Sequence, residues 1–465
     1  MPLLRLAYII ALRRAISNWK LETALFLGVV LAVALMSSGV VFSKLLEEAA
    51  LRRALNDATP EEANISVDVF NDLDDPSAVS RRFSVYQAGL DFVDRRVYER
   101  FEPYLEDRSH LFQTSTLFFE GAPRLELDNT IRPRGKIQYM TGLVPDSYGT
   151  DTRVEVLRGH WPYTTRSVGT AEPDEPLEVA IDDRGAQWLE LDVGDEMYVL
   201  PAAGDADPVS TTVRIVGVFG RTDTTDEFWY KSDRAFSFHN GQWTTVPMFT
   251  SEDAILDLVG ATYPGLYSDV TWFFYLDRHG LRAGDVNTVQ NIIRQVEFDV
   301  LSNLANADTS IRLDTVLDDY EEQILLARIP LFLMVFLVTA ILIYYLALVT
   351  GLIVKSRATE ISMLKSRGAT TVQIGLLALA EGLLLTVPSI FLGPLLALGV
   401  SKALGQVFFN AGTGVESVPI VLSFEAFLMG LGGAFLAVAV LTISTLLAAR
   451  HGIVEFRQSG ARPSG

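Results

Sequence analysis

The sequence predicts an α-helical membrane protein with four transmembrane helices and a large extracytoplasmic α+β domain inserted between the first and the second. Three observations predict this fold class. Four apolar runs are long enough to cross a bilayer, which takes about 20 apolar residues in a helix. The long segment between the first two runs holds almost all of the acidic residues, and the segments that flank the runs on one side are basic.

Four apolar runs predict where the membrane spans lie. They cover residues 23–43, 329–354, 370–401 and 426–449 and are nearly free of charged side chains. The first run is longer than the apolar part of a signal peptide, which has about 7–15 residues, so it is predicted to be a retained span. The residues before it mix arginines with apolar side chains and Trp19, a pattern typical of an amphipathic helix on the cytoplasmic face.

Charge orients the chain. Residues 45–327 hold 24 basic and 51 acidic side chains, a net charge of −27, whereas the remaining segments together carry +8. Because Lys and Arg collect on the cytoplasmic side of a membrane, both termini and the link at 355–370 are predicted to be cytoplasmic. We expect a multi-pass protein of a bacterial-type inner membrane. The acidity of the middle region argues against nucleic-acid binding.

These observations give the expected domain order. It comprises a cytoplasmic amphipathic helix (1–21), transmembrane helix 1 (22–45), the extracytoplasmic domain (46–327), transmembrane helix 2 (328–354), a cytoplasmic helix (355–370), transmembrane helix 3 (371–401), a short external loop (402–423), transmembrane helix 4 (424–449) and a cytoplasmic tail (450–465).

Within the external domain, charged helices at 44–55 and 317–327 are predicted to continue the adjoining spans as stalks. Period-2 alternation and turn residues predict six strands, and apolar residues at helical spacing predict two more helices, at 92–105 and 286–304. The strands are predicted at residues 63–70, 135–143, 177–181, 197–200, 212–219 and 271–276. This mixture predicts an α+β domain of two lobes, dividing near residues 158–175.

The search for chemistry predicts neither a catalytic nor a metal site. The chain has no phosphate-binding GxxxxGK[ST] loop, no cysteine, and five histidines without metal-ligand spacing, so it is not expected to be an enzyme by itself. Two clusters each have two interpretations. Four acidic residues either bind a cation or form a solvated face of the stalk. The aromatic residues at 228–230 and 272–275 form either a ligand surface or part of the core. The acidic residues are Asp318, Asp319, Glu321 and Glu322.

The link between the second and third spans is predicted to be a basic amphipathic helix that ends at Gly368. One face carries Ile361, Leu364 and Ala369. The other face carries Arg357, Glu360, Lys365 and Arg367. Such a helix either only marks the cytoplasmic side or provides a contact surface for a cytoplasmic partner.

Glu381 lies about ten residues into an otherwise uncharged run, or about 15 Å along a helix. A carboxylate at membrane depth is costly, and it has by default a partner or a functional role. The alternative is that the first turns of this helix are still interfacial, so that Glu381 reaches the headgroups or pairs with a neighbouring helix.

The link contains an Arg-x-x-Glu-Ile pattern followed by Lys, Gly-Ala, Gln and a membrane Glu, at Arg357, Glu360-Ile361, Lys365, Gly368-Ala369, Gln373-Ile374 and Glu381. With one span, a large external domain and three further spans, this pattern resembles the FtsX-like/MacB-like ABC transporter permeases. Arg158–Gly159–His160–Trp161 and residues 191–200 are similar to turns of the MacB-type external domain.

The resemblance implies that the link is the coupling helix of a mechanotransmission permease. It implies a separate cytoplasmic ABC ATPase that holds ATP and Mg, with no cofactor in this chain, and a second permease module, as a homodimer or a paralogous half, among membrane lipids. The implied work is export or extraction of a lipid, lipoprotein, peptide or drug. The ATPase-coupling residues would be Arg357, Glu360, Ile361, Leu364, Lys365, Arg367, Gly368 and Ala369.

A second function fits the same resemblance. In an FtsX-type signalling scaffold, the same motion would activate an extracytoplasmic cell-wall hydrolase, directly or through an accessory protein, instead of moving a substrate.

Overall fold

The computed structural model describes residues 19–71, 79–121, 132–143, 153–162, 175–201, 210–231, 236–241, 243–258, 268–304, 306–356, 362–363, 365–409 and 423–450. The chain forms two compact units, one from Met1–Arg52 with Tyr320–Gly465 and the other from Arg53–Asp319. Most of the predicted N-terminal helix, the external loop at 410–422 and the tail at 451–465 lie outside the described residues.

The longer helices of the described residues are labelled in chain order. They are α1 (Trp19–Asp57), α2 (Val79–Val93), α3 (Asp183–Leu189), α4 (Glu252–Asp257), α5 (Val286–Asn303), α6 (Leu313–Ser356), α7 (Thr371–Phe409) and α8 (Phe424–Arg450). Among them, α1, α6, α7 and α8 are long and apolar enough to cross a membrane, in agreement with the four predicted spans.

The ends of these helices refine the prediction. Both α1 and α6 run unbroken from span into charged segment, as expected for stalks. The helix that contains the third predicted span, α7, continues past residue 401 to Phe409. Residues 402–409 contain no proline and include Lys, Ala, Leu and Gln, which favour a helix.

Small residues allow α1 to pack closely against the other membrane helices. A Cβ atom added to Gly393 of α7 would lie 2.4 Å from Val33 Cγ1, and one added to Gly430 of α8 would lie 2.7 Å from Ser37 Oγ. Ser37 Oγ also donates a hydrogen bond of 2.9 Å to the Ala426 carbonyl. Because lipid removes the hydrophobic drive for helix association, close contact of this kind is what holds such a bundle together.

One apolar cluster joins all four membrane helices. It contains Leu25 of α1, Ile353 of α6, Leu385 of α7 and Leu441 of α8. A second cluster joins α1, α6 and α8. The bundle therefore has an interior of its own, and many of the remaining large apolar side chains, most of all on α6, face outward.

The unit Arg53–Asp319 is built on one mixed β-sheet. Its strands are β1 (Ile65–Asn71), β2 (Leu105–Thr114), β3 (Leu117–Glu120), β4 (Arg132–Gly135), β5 (Ile137–Met140), β6 (Val154–Gly159), β7 (Leu177–Asp182), β8 (Glu196–Leu200), β9 (Thr211–Arg221), β10 (Phe238–His239), β11 (Trp243–Thr245), β12 (Met248–Phe249), β13 (Ser268–Leu276) and β14 (Ala307–Ile311). The order is β10-β11-β4-β3-β8-β9-β7-β12-β5-β2-β13-β1-β14, with β6 beside β9. The α+β class and the six predicted strands are confirmed.

The predicted division into lobes near residues 158–175 is wrong. Strand β3 precedes that boundary and pairs with β8, which follows it. The sheet instead has two halves made of discontinuous segments, connected through the two-residue strand β12, which pairs with both β5 and β7. The chain leaves one half after β2 and returns to it for β5 and β13, and an insertion of this kind has no local signal in the sequence.

The helix predicted at 92–105 is not continuous. After α2 comes a π-helical turn at Asp94–Tyr98, then two short helical turns, and Leu105 begins β2 opposite Leu276. Leu105 is therefore a strand residue, because pairing with the neighbouring strand satisfies its backbone where the helix would have continued. The predicted apolar face is otherwise confirmed, since Val93, Val97 and Phe101 are buried.

The two aromatic clusters form core rather than a ligand surface. All seven side chains at 228–230 and 272–275 are buried. The rings of Phe228 and Tyr275 stack with centroids 5.4 Å apart, and Tyr275 Oη donates to the Phe228 carbonyl at 2.9 Å. The surrounding cluster includes Leu111 of β2 and Phe219 of β9, so the two halves of the sheet share one core.

His110 belongs to a half-buried chain of polar side chains at the N-terminal end of α4. Its Nε2 lies 3.3 Å from Tyr86 Oη, which donates a hydrogen bond of 2.6 Å to Glu252 Oε1. Burial lowers the pKa of His110 to about 4; the carboxylate of Asp94 opposes this shift and Arg108 adds to it. The imidazole is therefore neutral in the folded protein at pH values where it is protonated in the unfolded chain.

We expect Gly393→Ala to destabilise the membrane unit by about 1–3 kcal/mol, because its Cβ would overlap Val33. Gly399→Ala on the same helix is the matched control, since a Cβ there meets no atom within 4 Å. Thermal unfolding of the detergent-purified chain measures both variants. Equal melting temperatures for the two would contradict the packing described here.

We expect the external unit to lose up to about 3 kcal/mol of stability through His110 as the pH falls from about 6.5 to about 4. In that window the unfolded chain binds a proton that the folded unit excludes, so His110→Gln should flatten the pH dependence. Five of the six tryptophans lie in residues 161–272, so tryptophan fluorescence during denaturant unfolding reports on this unit. Parallel pH profiles for both proteins would show that His110 is not the titrating group.

Candidate functional site

The candidate site is the link between α6 and α7, of which the structure describes residues 362–363 and 365–370. Residues 362, 363, 365 and 366 are helical, and Ser366 Oγ donates to the Met363 carbonyl at 2.8 Å. Four predicted coupling residues lie outside the described residues, and their roles stay predictions. These are Arg357, Glu360, Ile361 and Leu364.

The helical turn of the link ends at Gly368, as its position in the sequence predicts. The backbone amides of Arg367 and Gly368 donate to the carbonyls of Met363 and Lys365, at 3.2 and 2.9 Å. Gly368 then takes a φ of 91°, a left-handed conformation that is costly for residues with a Cβ. Glycine is therefore required here by the backbone, whatever the link contacts.

A reciprocal cap begins α7 immediately after the link. The backbone N–H of Thr370 donates to Gln373 Oε1 at 3.0 Å, and the backbone N–H of Gln373 donates to Thr370 Oγ1 at 3.3 Å. This is the capping box, which satisfies two backbone donors at a helix N-terminus. The Thr-x-x-Gln spacing is visible in the sequence, and it is the signal that would have placed this boundary.

The described part of the link presents an exposed surface that is both basic and apolar. Arg367 is exposed, and so is Met363, by 54%. Ala369 is half-buried beside them. Sequence reasoning missed Met363, although an apolar residue within a charged link is a recognisable signal for a contact surface, where methionine adapts well to a partner.

Glu381 lies on the side of α7 that faces the bundle. Ala378 and Leu385, three residues before and four after it, are buried, and Leu385 belongs to the cluster that joins all four helices. Glu381 is itself half-buried, and its Oε1 atom is buried. This placement agrees with a carboxylate directed at neighbouring helices rather than at lipid, and its role stays a prediction.

Ionic contacts join α1 to α6 and to α8 on the side of the four-helix apolar cluster that is away from the link. Arg328 of α6 contacts Glu47 of α1 at 2.8 Å, and Lys44 of α1 contacts Glu425 of α8 at 2.8 Å. Ser43 Oγ donates to the same oxygen of Glu47 at 2.9 Å. One turn of α1 is thus connected to two neighbouring helices.

The four acidic residues near the start of α6 are all exposed, which fits the solvated-face interpretation. Asp318 Oδ1 accepts a hydrogen bond of 2.9 Å from Gln290 Nε2. Within the described residues, no group of three or more His, Cys, Asp and Glu side chains has the arrangement of a metal site.

The two external segments that carry the family resemblance lie side by side. Arg158 contacts Asp192 at 3.1 Å, and Gly159, with a φ of 74°, approaches the Val216 carbonyl so closely that a Cβ would lie 2.0 Å from it. Trp161 packs on Phe219 in the shared core. The motif is therefore a structural corner of the domain, where glycine is needed for close backbone approach.

Comparison with known families finds a match in the C-terminal part of the chain. The family model described as FtsX-like permease C-terminal matches residues 332–452, which include most of α6, the whole link, α7 and α8. No curated protein shows significant sequence similarity to the chain. The match supports a permease-type component of an ABC transporter, a class that typically works with an ABC ATPase.

Proposed function

We propose that the chain is the permease subunit of an ABC transporter driven by a separate cytoplasmic ATPase. The premise is the match of residues 332–452 to the FtsX-like permease family. The observation that carries this proposal is the exposed basic and apolar surface of the link between α6 and α7. ATP and Mg would be bound by the partner ATPase, and this chain would supply the coupling surface.

The coupling surface would consist of residues 357–369, which include Met363. A basic loop that only marks the cytoplasmic side needs Lys and Arg alone. The exposed apolar side chain of Met363 in the same turn as Arg367 would be stabilised by a partner that covers it. Because Gly368 and the Thr370 capping box define how the link joins α7, a displacement of the link would pass directly to that helix.

Motion would leave the membrane through α1 and α6. Each is one continuous helix from span to charged segment, and the Arg328–Glu47 contact joins them. The external domain would then move in a MacB-like mechanotransmission cycle to export or extract a lipid, lipoprotein, peptide or drug. We place both termini in the cytoplasm and expect a second permease module beside this one.

We expect Arg367→Glu to reduce ATPase binding by about tenfold or more, because it reverses charge at the centre of the coupling surface. Met363→Asp should act in the same direction by removing apolar contact. The chain is copurified with candidate ABC ATPases from the same organism, and both the amount of bound ATPase and its ATP hydrolysis rate are measured.

Lys402→Glu is the matched control for this experiment. It makes the same charge change at an exposed site towards the other end of α7, so it should leave binding and hydrolysis unchanged. If Arg367→Glu behaves like Lys402→Glu, and Arg357→Glu does too, the coupling assignment is overturned.

We expect Glu47→Arg and Arg328→Glu each to lower the permease-dependent ATPase rate, and the double exchange to restore it, because the exchange rebuilds the ionic contact with reversed polarity. The stability term is small, about 0.2–1 kcal/mol for exposed pairs, so the rescue is the informative measurement. Arg53→Glu is the control, since the ion pair of Arg53 among the described residues is with Asp57 of its own helix, at 3.4 Å. A double variant as slow as the single variants would show that this pair does not transmit the motion.

The FtsX-type scaffold uses the same coupling surface and differs in what the external domain contacts. Recovery of a cell-wall hydrolase through residues 46–327 would favour the scaffold, whereas binding of a transported amphiphile or peptide would favour transport.

A further inference from the structure

A cleft of about 490 Å³ lies between α5 and the π-helical segment of the external domain, in the size range of small-ligand sites. One wall is a face of α5, whose lining residues recur at the spacing of helical turns. Arg96 and Arg100 form the other wall. The residues of α5 that line it are Asn291, Arg294, Gln295, Phe298 and Asp299.

The cleft is locally basic within a strongly acidic region. Residues 45–327 have 51 acidic side chains against 24 basic ones, so most arginines can find a carboxylate. Arg53, Arg95, Arg108 and Arg214, for example, all do. In contrast, no carboxylate of the described residues lies within 4.0 Å of Arg96 or Arg294, and both arginines are exposed. Three arginines and one aspartate leave the cleft with a charge of about +2.

The arginines are arranged so that hydrogen-bond donors remain available. Arg100 contacts Asp299 at 2.9 Å through Nη2, which connects the two walls, while its Nη1 is buried without a partner in the described structure. Arg294 donates to Asn291 Oδ1 at 2.7 Å. Arg96 and Arg294 are exposed, so their guanidinium N–H donors are accessible to an oxyanion in the cleft.

The backbone of this wall is unusual too. The amide of Glu99 donates to the Asp94 carbonyl, which closes a π-helical turn over Asp94–Tyr98. Such turns are rare and often occur at functional sites, since the extra residue changes the direction in which later side chains point. Here the turn contains Arg96 and immediately precedes Arg100.

We propose that this cleft binds a phosphate-type oxyanion, held by Arg96, Arg100 and Arg294. Guanidinium groups match phosphate in geometry as well as charge, and several around one cavity are typical of phosphate recognition. Phe298 and Leu301, exposed by 71% and 60%, flank the basic residues on α5 and would contact an apolar group attached to the phosphate. The site is independent of the ATPase and goes beyond the proposed permease function.

The test uses the full chain in neutral detergent and isothermal titration with three probes, which are inorganic phosphate, glycerol phosphate and dihexanoylphosphatidylglycerol. We expect saturable, salt-sensitive binding that the double variant Arg96→Gln with Arg294→Gln weakens about tenfold or more. The double variant Arg53→Gln with Arg214→Gln is the control, because it removes two exposed, ion-paired arginines outside the cleft and should bind as the unmodified chain does.

The probes also identify the source of the phosphate. Similar affinity for all three supports the site and assigns it to free phosphate or a small phosphate ester. Tighter binding of the lipid that Phe298→Ser abolishes supports the site and assigns it to a phospholipid headgroup. Absence of saturable binding at millimolar concentration, or equal affinity in the cleft and control double variants, overturns the proposal. Arg96 and Arg294 are exposed, so tryptophan fluorescence should show an intact fold in every variant.

Discussion

The membrane unit depends on the close approach of α1 to its neighbours. In lipid there is little hydrophobic drive for helices to associate, so contact distance and hydrogen bonds decide the packing. Gly393 and Gly430 leave room for Val33 and Ser37, and Ser37 uses its hydroxyl on the Ala426 carbonyl. With α1 seated in this way, its next turns bring Lys44 and Glu47 against α8 and α6. The ionic contacts thus follow from the packing of small residues.

The external unit has a different basis for its stability. Without cysteine it has no disulfide, so a shared aromatic core must join the two halves of its sheet. Phe228 and Tyr275 come from distant parts of the chain and stack at the centre of that core. His110 follows a different logic, because it lies on the face of β2 opposite to Leu111 of that core, half-buried against Tyr86. The acid sensitivity of the unit therefore originates on the other side of the sheet from its aromatic core.

Much of this architecture could be predicted because hydropathy and periodicity are local. The four spans, both stalks and the alternating strands β1 and β9 follow from them. Strand β12 has only two residues, too few to show an alternation of apolar and polar side chains. The pairing that connects the halves of the sheet was therefore not predictable. In the link, Arg367 and Gly368 stood out by charge and turn chemistry; Met363 is visible there as an apolar residue among charges, and the folded chain adds that its side chain is exposed. The arginine cleft combines residues about 200 positions apart, and no local pattern indicates it.

The composition of the link is the strongest physical argument that it does more than orient the chain. Orientation requires positive charge, which Lys365 and Arg367 supply, and it gains nothing from the exposed side chain of Met363. Met363 belongs to the helical turn that ends at Gly368, immediately before the Thr370–Gln373 cap. The cap in turn begins the helix that carries Glu381 and, one turn later, Leu385 of the four-helix cluster. A partner bound to the link would therefore act on a short, hydrogen-bonded connection to the interior of the bundle, which is the arrangement that coupling a cytoplasmic motor to membrane helices requires.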